Sequence, residues 1–211
     1  MEKKFISNKD ETVRLFKSDF MEVFSRVHFT VPLYIYIPVI LYFLYHSIYS
    51  YSLSFLTIST LVFLGIVVWT LTEYTLHRFI FHYTPKSAWG EKLHFILHGV
   101  HHAYPKDTKR LVMPPSVSVP LAILFYFLFK FILGSALVCP FFIGFVAGYL
   151  FYDITHYAIH HFPIHNKFFL ILKKHHARHH YENEKLGFGV SSPAWDDIVG
   201  TNFPDTKIKK K

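Results

Sequence analysis

Ten of the sixteen histidines in this chain fall into two sets of five with matching spacing. The first set is His77, His82, His98, His101 and His102; the second is His156, His160, His176, His179 and His180. Each opens with a pair, HRFIFH (77–82) or HYAIH (156–160), and closes with a triplet, HGVHH (98–102) or HARHH (176–180). Imidazole suits iron, zinc, copper and nickel. Ten imidazoles exceed the needs of one ion, whereas two ions with about five nitrogens each would use them all and could keep a position open.

Helical spacing bears on how these rings are presented. Residues three and four apart lie on one helix face, so His98, His101 and His102 are predicted to point together, as are His176, His179 and His180. His156 and His160 are an i, i+4 pair. His77 and His82 are five apart and diverge on an ideal helix, so they use a helix end or address different metals. One metal per set and ligands crossing between sets are both compatible with the repeat. His94, His161 and His175 stand beside the motifs but outside the repeated frame. Two carboxylates precede the pairs, Glu73 and Asp153, each near the end of an apolar run. Each is placed to accept the N–H of a metal-bound imidazole, a common arrangement behind metal ligands, or else to face water or pair with a nearby Arg at a helix end.

The elements that must position these groups are apolar. The chain of 211 residues is 52% hydrophobic, 19% aromatic and only 17% charged, which calls for an apolar solvent. Residues 31–50 and 53–72 form one pair of candidate spans, broken by a short polar stretch around Ser50–Ser52; residues 117–134 and 136–155 form a second. Each is near the roughly 20 residues that cross a bilayer as a helix. The fold predicted is all-α and integral to the membrane: four transmembrane helices in two hairpins, with a helical cap carrying a dimetal site. Pro38 is a candidate kink in the first span. Residues 1–30 mix Val13, Phe16, Phe20, Phe24 and Val27 at helical spacing with charges. They read as an amphipathic helix, lying on the membrane interface or packed on the protein. Residues 31–211 read as one membrane domain.

Charge sets the orientation. The connections near 50 and 135 carry no Lys or Arg, whereas the N-terminus, the segment 78–110 and the tail 167–211 carry nearly all of them. Both termini and both histidine sets are therefore predicted to be cytoplasmic. The formal net charge of +8 follows from this pattern and, with no nucleic-acid motif, does not imply nucleic acid. The single Cys139 allows no internal disulfide, and no signal peptide, P-loop, dinucleotide fingerprint or Ser–His–Asp arrangement is present.

Four segments together carry a resemblance. These are LHRFIFH (76–82), HFILHGVHHAYPKDTKRLVMPP (94–115), GYLFYDITHYAIHH (148–161) and HHARHHYENEKLGFGVSSPAWDDIVGT (175–201). They resemble the fatty acid hydroxylase superfamily of membrane di-iron oxygenases, and within it the fatty acid 2-hydroxylases. The resemblance covers nearly everything after the N-terminal segment. It implies the ten in-frame histidines as ligands of two irons, and hydroxylation of a long acyl chain, free or in a ceramide-like lipid, next to its carbonyl. It also implies dioxygen as co-substrate. Yeast and animal members carry a fused cytochrome b5 domain for which this chain has no room. A separate electron donor, such as cytochrome b5 or a ferredoxin with its reductase, is therefore expected. Zinc outcompetes ferrous iron at nitrogen sites and is expected in purified samples.

The competing readings are a related lipid hydroxylase or desaturase, a metal transporter and a zinc hydrolase. Transporters place polar ligands near the bilayer midplane, whereas here the spans are almost purely apolar. The segment 185–201, with Gly187 and Gly189, is predicted to shape a lid or head-group pocket, or else to pack as a loop on the cap. The membrane is a bacterial inner membrane or the endoplasmic reticulum.

Overall fold

The computed structural model describes residues 5–204; the basic tail KIKKK lies outside them. Eight α-helices follow one another, and no strand occurs among the described residues. They are α1 (Asp19–Phe24), α2 (Val31–Tyr45), α3 (Phe55–Leu76), α4 (Ala88–His94), α5 (Val100–Ala103), α6 (Pro115–His161), α7 (Lys167–Tyr181) and α8 (Ala194–Val199). Helices α2, α3 and α4 each run on into a five-residue π-helical turn, at His46–Ser50, His77–Phe81 and Phe95–Gly99.

Three helical stretches are long and apolar enough to cross a membrane: Val31–Ser50, Phe55–Phe81 and Pro115–His161. Where the sequence predicts two further spans at 117–134 and 136–155, the structure has one 47-residue element. That element is broken in its backbone at Gly134, whose φ of 77° and ψ of 172° are not helical. A side chain would strain this left-handed φ, so glycine suits the break. Across it, Phe129 meets both Phe141 and Phe145, and Phe125 meets Phe145. Residues on either side of Gly134 therefore pack on each other. Pro38 leaves α2 continuous.

The core lies where α3 meets the second half of α6. A Cβ at Gly144 would collide with the Val62 carbonyl oxygen, and one at Gly65 with the Phe141 carbonyl oxygen. The two backbones approach as closely as small residues allow in membrane helix pairs. Around this contact Trp69 packs edge-on to Phe145 and Tyr149. This rigid pair carries His77 at the end of α3 and His156 and His160 at the end of α6.

The N-terminal segment departs from its predicted helix. Only Asp19–Phe24 is helical. Glu22 is buried, and its carboxylate accepts the backbone N–H groups of Leu15 and Phe16 at 3.0 Å each. Those amides are thereby taken from a longer helix. The Glu22 carboxylate also binds Arg26 and the buried Arg110 at 2.5–2.6 Å. Further bonds from Ser7 to the Ala103 carbonyl and from Val27 to the Lys109 carbonyl, 2.8 Å each, lay residues 5–27 along the segment after α5. Residues 5–27 thus pack on the protein. The opposite face of α1 remains apolar and exposed, through Phe20, Val23 and Phe24.

Candidate metal centre

The ten in-frame histidines come together in two groups of five, and neither group is one of the sequence sets. The first group is His77, His82, His98, His102 and His179; the second is His101, His156, His160, His176 and His180. Within each group the candidate ligand atoms all lie within 4.8 Å of one another.

Local backbone geometry explains the sorting. In the π-helical turn after α3, the His82 N–H donates to the His77 carbonyl five residues back, at 3.1 Å. The wider turn aligns residues five apart, and the two Nε2 atoms stand 3.2 Å from each other. The divergence expected on an ideal helix is thereby removed. Both triplets split, contrary to the prediction that each would point one way. His98 and His102, an i, i+4 pair, meet at 3.0 Å, while His101 between them reaches His156 at 3.0 Å. His176 and His180 meet at 2.9 Å, while His179 reaches His82 at 2.9 Å. The i, i+4 members share a face; the member at i+3 lies far enough round the helix to serve a neighbouring site.

These contacts are more than hydrogen bonds can account for. The Nε2 of His98 lies 3.0–3.1 Å from the Nε2 atoms of His77, His82 and His102. The Nε2 of His176 has three such neighbours at 2.9–3.0 Å, on His156, His160 and His180. A ring nitrogen offers one proton or one lone pair, not three partners. Nitrogens about 2.1 Å from a common ion, at right angles to each other, would stand about 3 Å apart. Burial, with neighbouring imidazoles, holds His98, His101, His176 and His180 well below the ordinary histidine range. Burial also takes His179 down to about 4, against the upward pull of the Leu186 carbonyl. Burial thus favours the neutral form of these five rings, which is the ligating form. By chemistry and geometry the residues fit two metal ions.

The predicted carboxylate partners do other work. Glu73 accepts the Val190 and Ser191 amides at 2.8 and 2.9 Å and the Ser191 hydroxyl. Asp153 accepts the Met113 amide at 3.2 Å and the Tyr149 hydroxyl at 3.0 Å. Neither binds an imidazole. The outer ring nitrogens of two histidines donate instead to backbone carbonyls: His77 Nδ1 to Phe188 at 2.5 Å, and His179 Nδ1 to Leu186 at 2.7 Å. Sequence reasoning missed these carbonyls, which carry no residue signature. It also missed Asp196, fully buried and bonded to His175, whose one signal was an acid among small and apolar residues. His94, His161 and His175 join neither group.

A cavity of about 470 Å³ opens beside the histidines. It is lined by His98 of the first group and by His101 and His156 of the second. Its walls are mainly apolar, from α1 (Phe20, Phe24), the segment after α5 (Leu111, Val112) and the start of α6 (Val117). The segment 185–201, predicted as a lid or head-group pocket, does not line this cavity. It packs against His77 and His179 through the Phe188 and Leu186 carbonyls and against α3, where Trp195 donates to Thr70 at 3.0 Å.

A family model described as fatty acid hydroxylase matches residues 62–201, the stretch that holds all ten histidines. The chain belongs to the fatty acid hydroxylase family. Among its family relatives is the dihydroceramide fatty acyl 2-hydroxylase FAH2 of Arabidopsis thaliana, 41% identical over 202 residues. That match covers 95% of this chain and 84% of the plant protein. The fatty acid 2-hydroxylase of Rattus norvegicus is 38% identical over 92% of this chain, which spans just over half, 57%, of the rat protein. A solved structure of full-length scs7p, with only its hydroxylase domain visible, superposes with a TM-score of 0.83 at 38% identity. It covers 88% of this chain and 70% of the other.

Proposed function

We propose that this hydroxylase inserts oxygen into a long acyl chain at the carbon next to its carbonyl, the acyl group being a free acid or part of a ceramide-like lipid. The observation that carries the reading is the cavity. It is mainly apolar, and histidines of both groups line it, so one lipid in it would meet both candidate metals. The 2-hydroxylase names of the plant and rat relatives support the position of attack.

Two irons held by the ten histidines would supply the oxidising power that an unactivated C–H bond requires, with dioxygen as the oxidant and electrons from a separate carrier such as cytochrome b5 or a ferredoxin. The protein's share is binding, orientation and exclusion of water. The walls formed by Phe20, Phe24, Leu111, Val112 and Val117 hold the acyl chain out of water. Arg110 ties the wall in place, donating to the Val13 carbonyl at 2.6 Å, to the Ser25 hydroxyl at 2.9 Å and to Glu22 at 2.5 Å. The imidazoles, most of them buried, already bring their nitrogens together in two groups.

The membrane arrangement belongs to the same proposal. The break at Gly134 supports reading Pro115–His161 as two crossings, and with them four spans in two hairpins. The positive-inside rule puts the histidines and both termini on the cytoplasmic side, of either a bacterial inner membrane or the endoplasmic reticulum. The test is turnover of purified, iron-loaded protein with an acyl substrate, reductant and isotopically heavy dioxygen. Heavy oxygen in a hydroxyl next to the carbonyl is expected. A double bond, or a hydroxyl elsewhere on the chain, overturns the assignment.

A further inference from the structure

The two histidine groups are held by different means. Behind the first group runs the segment 186–191, and two buried acids pin it. Asp196 accepts the Phe188 amide at 2.9 Å and the Gly189 amide at 2.8 Å. The same carboxylate takes the Thr201 hydroxyl at 2.8 Å and His175 Nε2 at 3.1 Å. Glu73 takes the next two amides, of Val190 and Ser191. Four successive N–H groups, from Phe188 to Ser191, thus point at carboxylates. The carbonyls of Leu186 and Phe188 face the other way, and they receive the Nδ1 protons of His179 and His77. Burial raises the Asp196 carboxyl, but its bonds to His175 and to the amides outweigh this and keep it ionised.

The second group has no such brace. The Nδ1 atoms of His156, His176 and His180 are buried and have no hydrogen-bond partner among the described residues. Packing orients these rings: Tyr152 stacks on His156, and His102 on His180. An accepting partner on the outer nitrogen fixes an imidazole's tautomer and orientation and makes it a better donor to metal; removing such a partner typically costs roughly 10–100-fold in metal affinity.

We infer that the two metal sites are unequal: Asp196 and Glu73, acting through the segment 186–191, are positioning residues for the His77–His179 site alone, and the His101–His156 site holds its metal more loosely. This rests on the two-metal reading above and goes beyond it by assigning each site its own strength and its own supporting acids.

The test is metal release from zinc-loaded protein in detergent, followed with a chromogenic chelator. The native protein is expected to release its metal in two phases, separated by roughly 10–100-fold in rate. His160→Ala, which damages the second site, should leave only the slow phase; His82→Ala, which damages the first, should leave only the fast one. Asp196→Asn should accelerate the slow phase by a similar factor and leave the fast phase unchanged, a selectivity that general loosening of the fold would not produce. Should Asp196→Asn fail to fold, the native protein and the two histidine variants decide alone. Release of both metals at one rate, or slow release from His82→Ala, overturns the inference and leaves the two-metal reading intact. A protein that takes up no zinc overturns both.

Discussion

His101 and His179 are exchanged between the two halves of the chain. His101 belongs to the triplet after α4, yet it closes the group built from α6 and α7, 3.0 Å from His156. His179 belongs to the triplet of α7, yet it closes the group built around the end of α3, 2.9 Å from His82. Each group thus depends on one residue from the opposite half, which locks α7 against the segment of α4 and α5.

Replacing either exchanged residue should therefore empty the group it closes and spare the other. His101→Ala is expected to lose the metal of the α6–α7 group, and His179→Ala that of the α3 group. Hydroxylation should fall more than about 100-fold in both, since loss of an outer partner alone costs up to that much in metal affinity or activity. Metal analysis of the two proteins checks this: about one metal ion per chain is expected in place of two, with folding retained.

The exchange was not legible in the sequence, although its members were. All ten histidines could be named from their repeated frame; the apolar run at 31–50 matches an observed helical stretch and the run at 53–72 overlaps one that begins at Phe55. Which ring serves which group depends on π-helical turns at His77–Phe81 and Phe95–Gly99 and on the placing of α7 against them. Spacing on an ideal helix contains neither. The N-terminal segment failed for a related reason: helical periodicity from Val13 to Val27 is real, but the Glu22 carboxylate captures the Leu15 and Phe16 amides. Glu73 and Asp153 were singled out as possible partners of imidazoles, but the partners they take are backbone amides and the Ser191 and Tyr149 hydroxyls.

The cavity predicts selectivity. Val117, at the start of α6, lines it and is only partly buried. Val117→Trp is expected to shift hydroxylation toward shorter acyl chains while metal content and melting temperature stay near native values. Competition between short and long acyl substrates, read by mass spectrometry, measures the ratio; an unchanged ratio would remove the cavity from the account.

The Glu22–Arg110 pair predicts a pH signature. Burial pushes the Glu22 carboxyl up, but the Phe16 and Leu15 amides and Arg26 and Arg110 outweigh it and bring it down to about 2 from 4.5. A lowered carboxyl stabilises the fold fully above pH 4.5, and the contribution fades as pH falls toward 2. Glu22→Gln should therefore be less stable than native protein at pH 7, by about 1.5–3 kcal/mol. The difference should shrink below pH 4.5. Denaturation of both proteins across that range measures it.

Helix packing predicts a position without tolerance. The Gly144 backbone abuts the Val62 carbonyl, so Gly144→Val must push α3 and α6 apart. A loss of about 1–3 kcal/mol is expected from such overpacking. Thermal unfolding in detergent should register it, whereas Gly134→Ala, which meets nothing within 4 Å, should lose stability only through the backbone strain of its positive φ, about 1–3 kcal/mol.

The central claim is 2-hydroxylation by a site that needs both histidine groups. Its most direct test is mass spectrometry of lipids from a host expressing the native chain, His101→Ala or His179→Ala. The account predicts new acyl lipids hydroxylated next to the carbonyl with the native chain alone. The same lipids from either variant, or a native product carrying a double bond or a hydroxyl elsewhere, would contradict it.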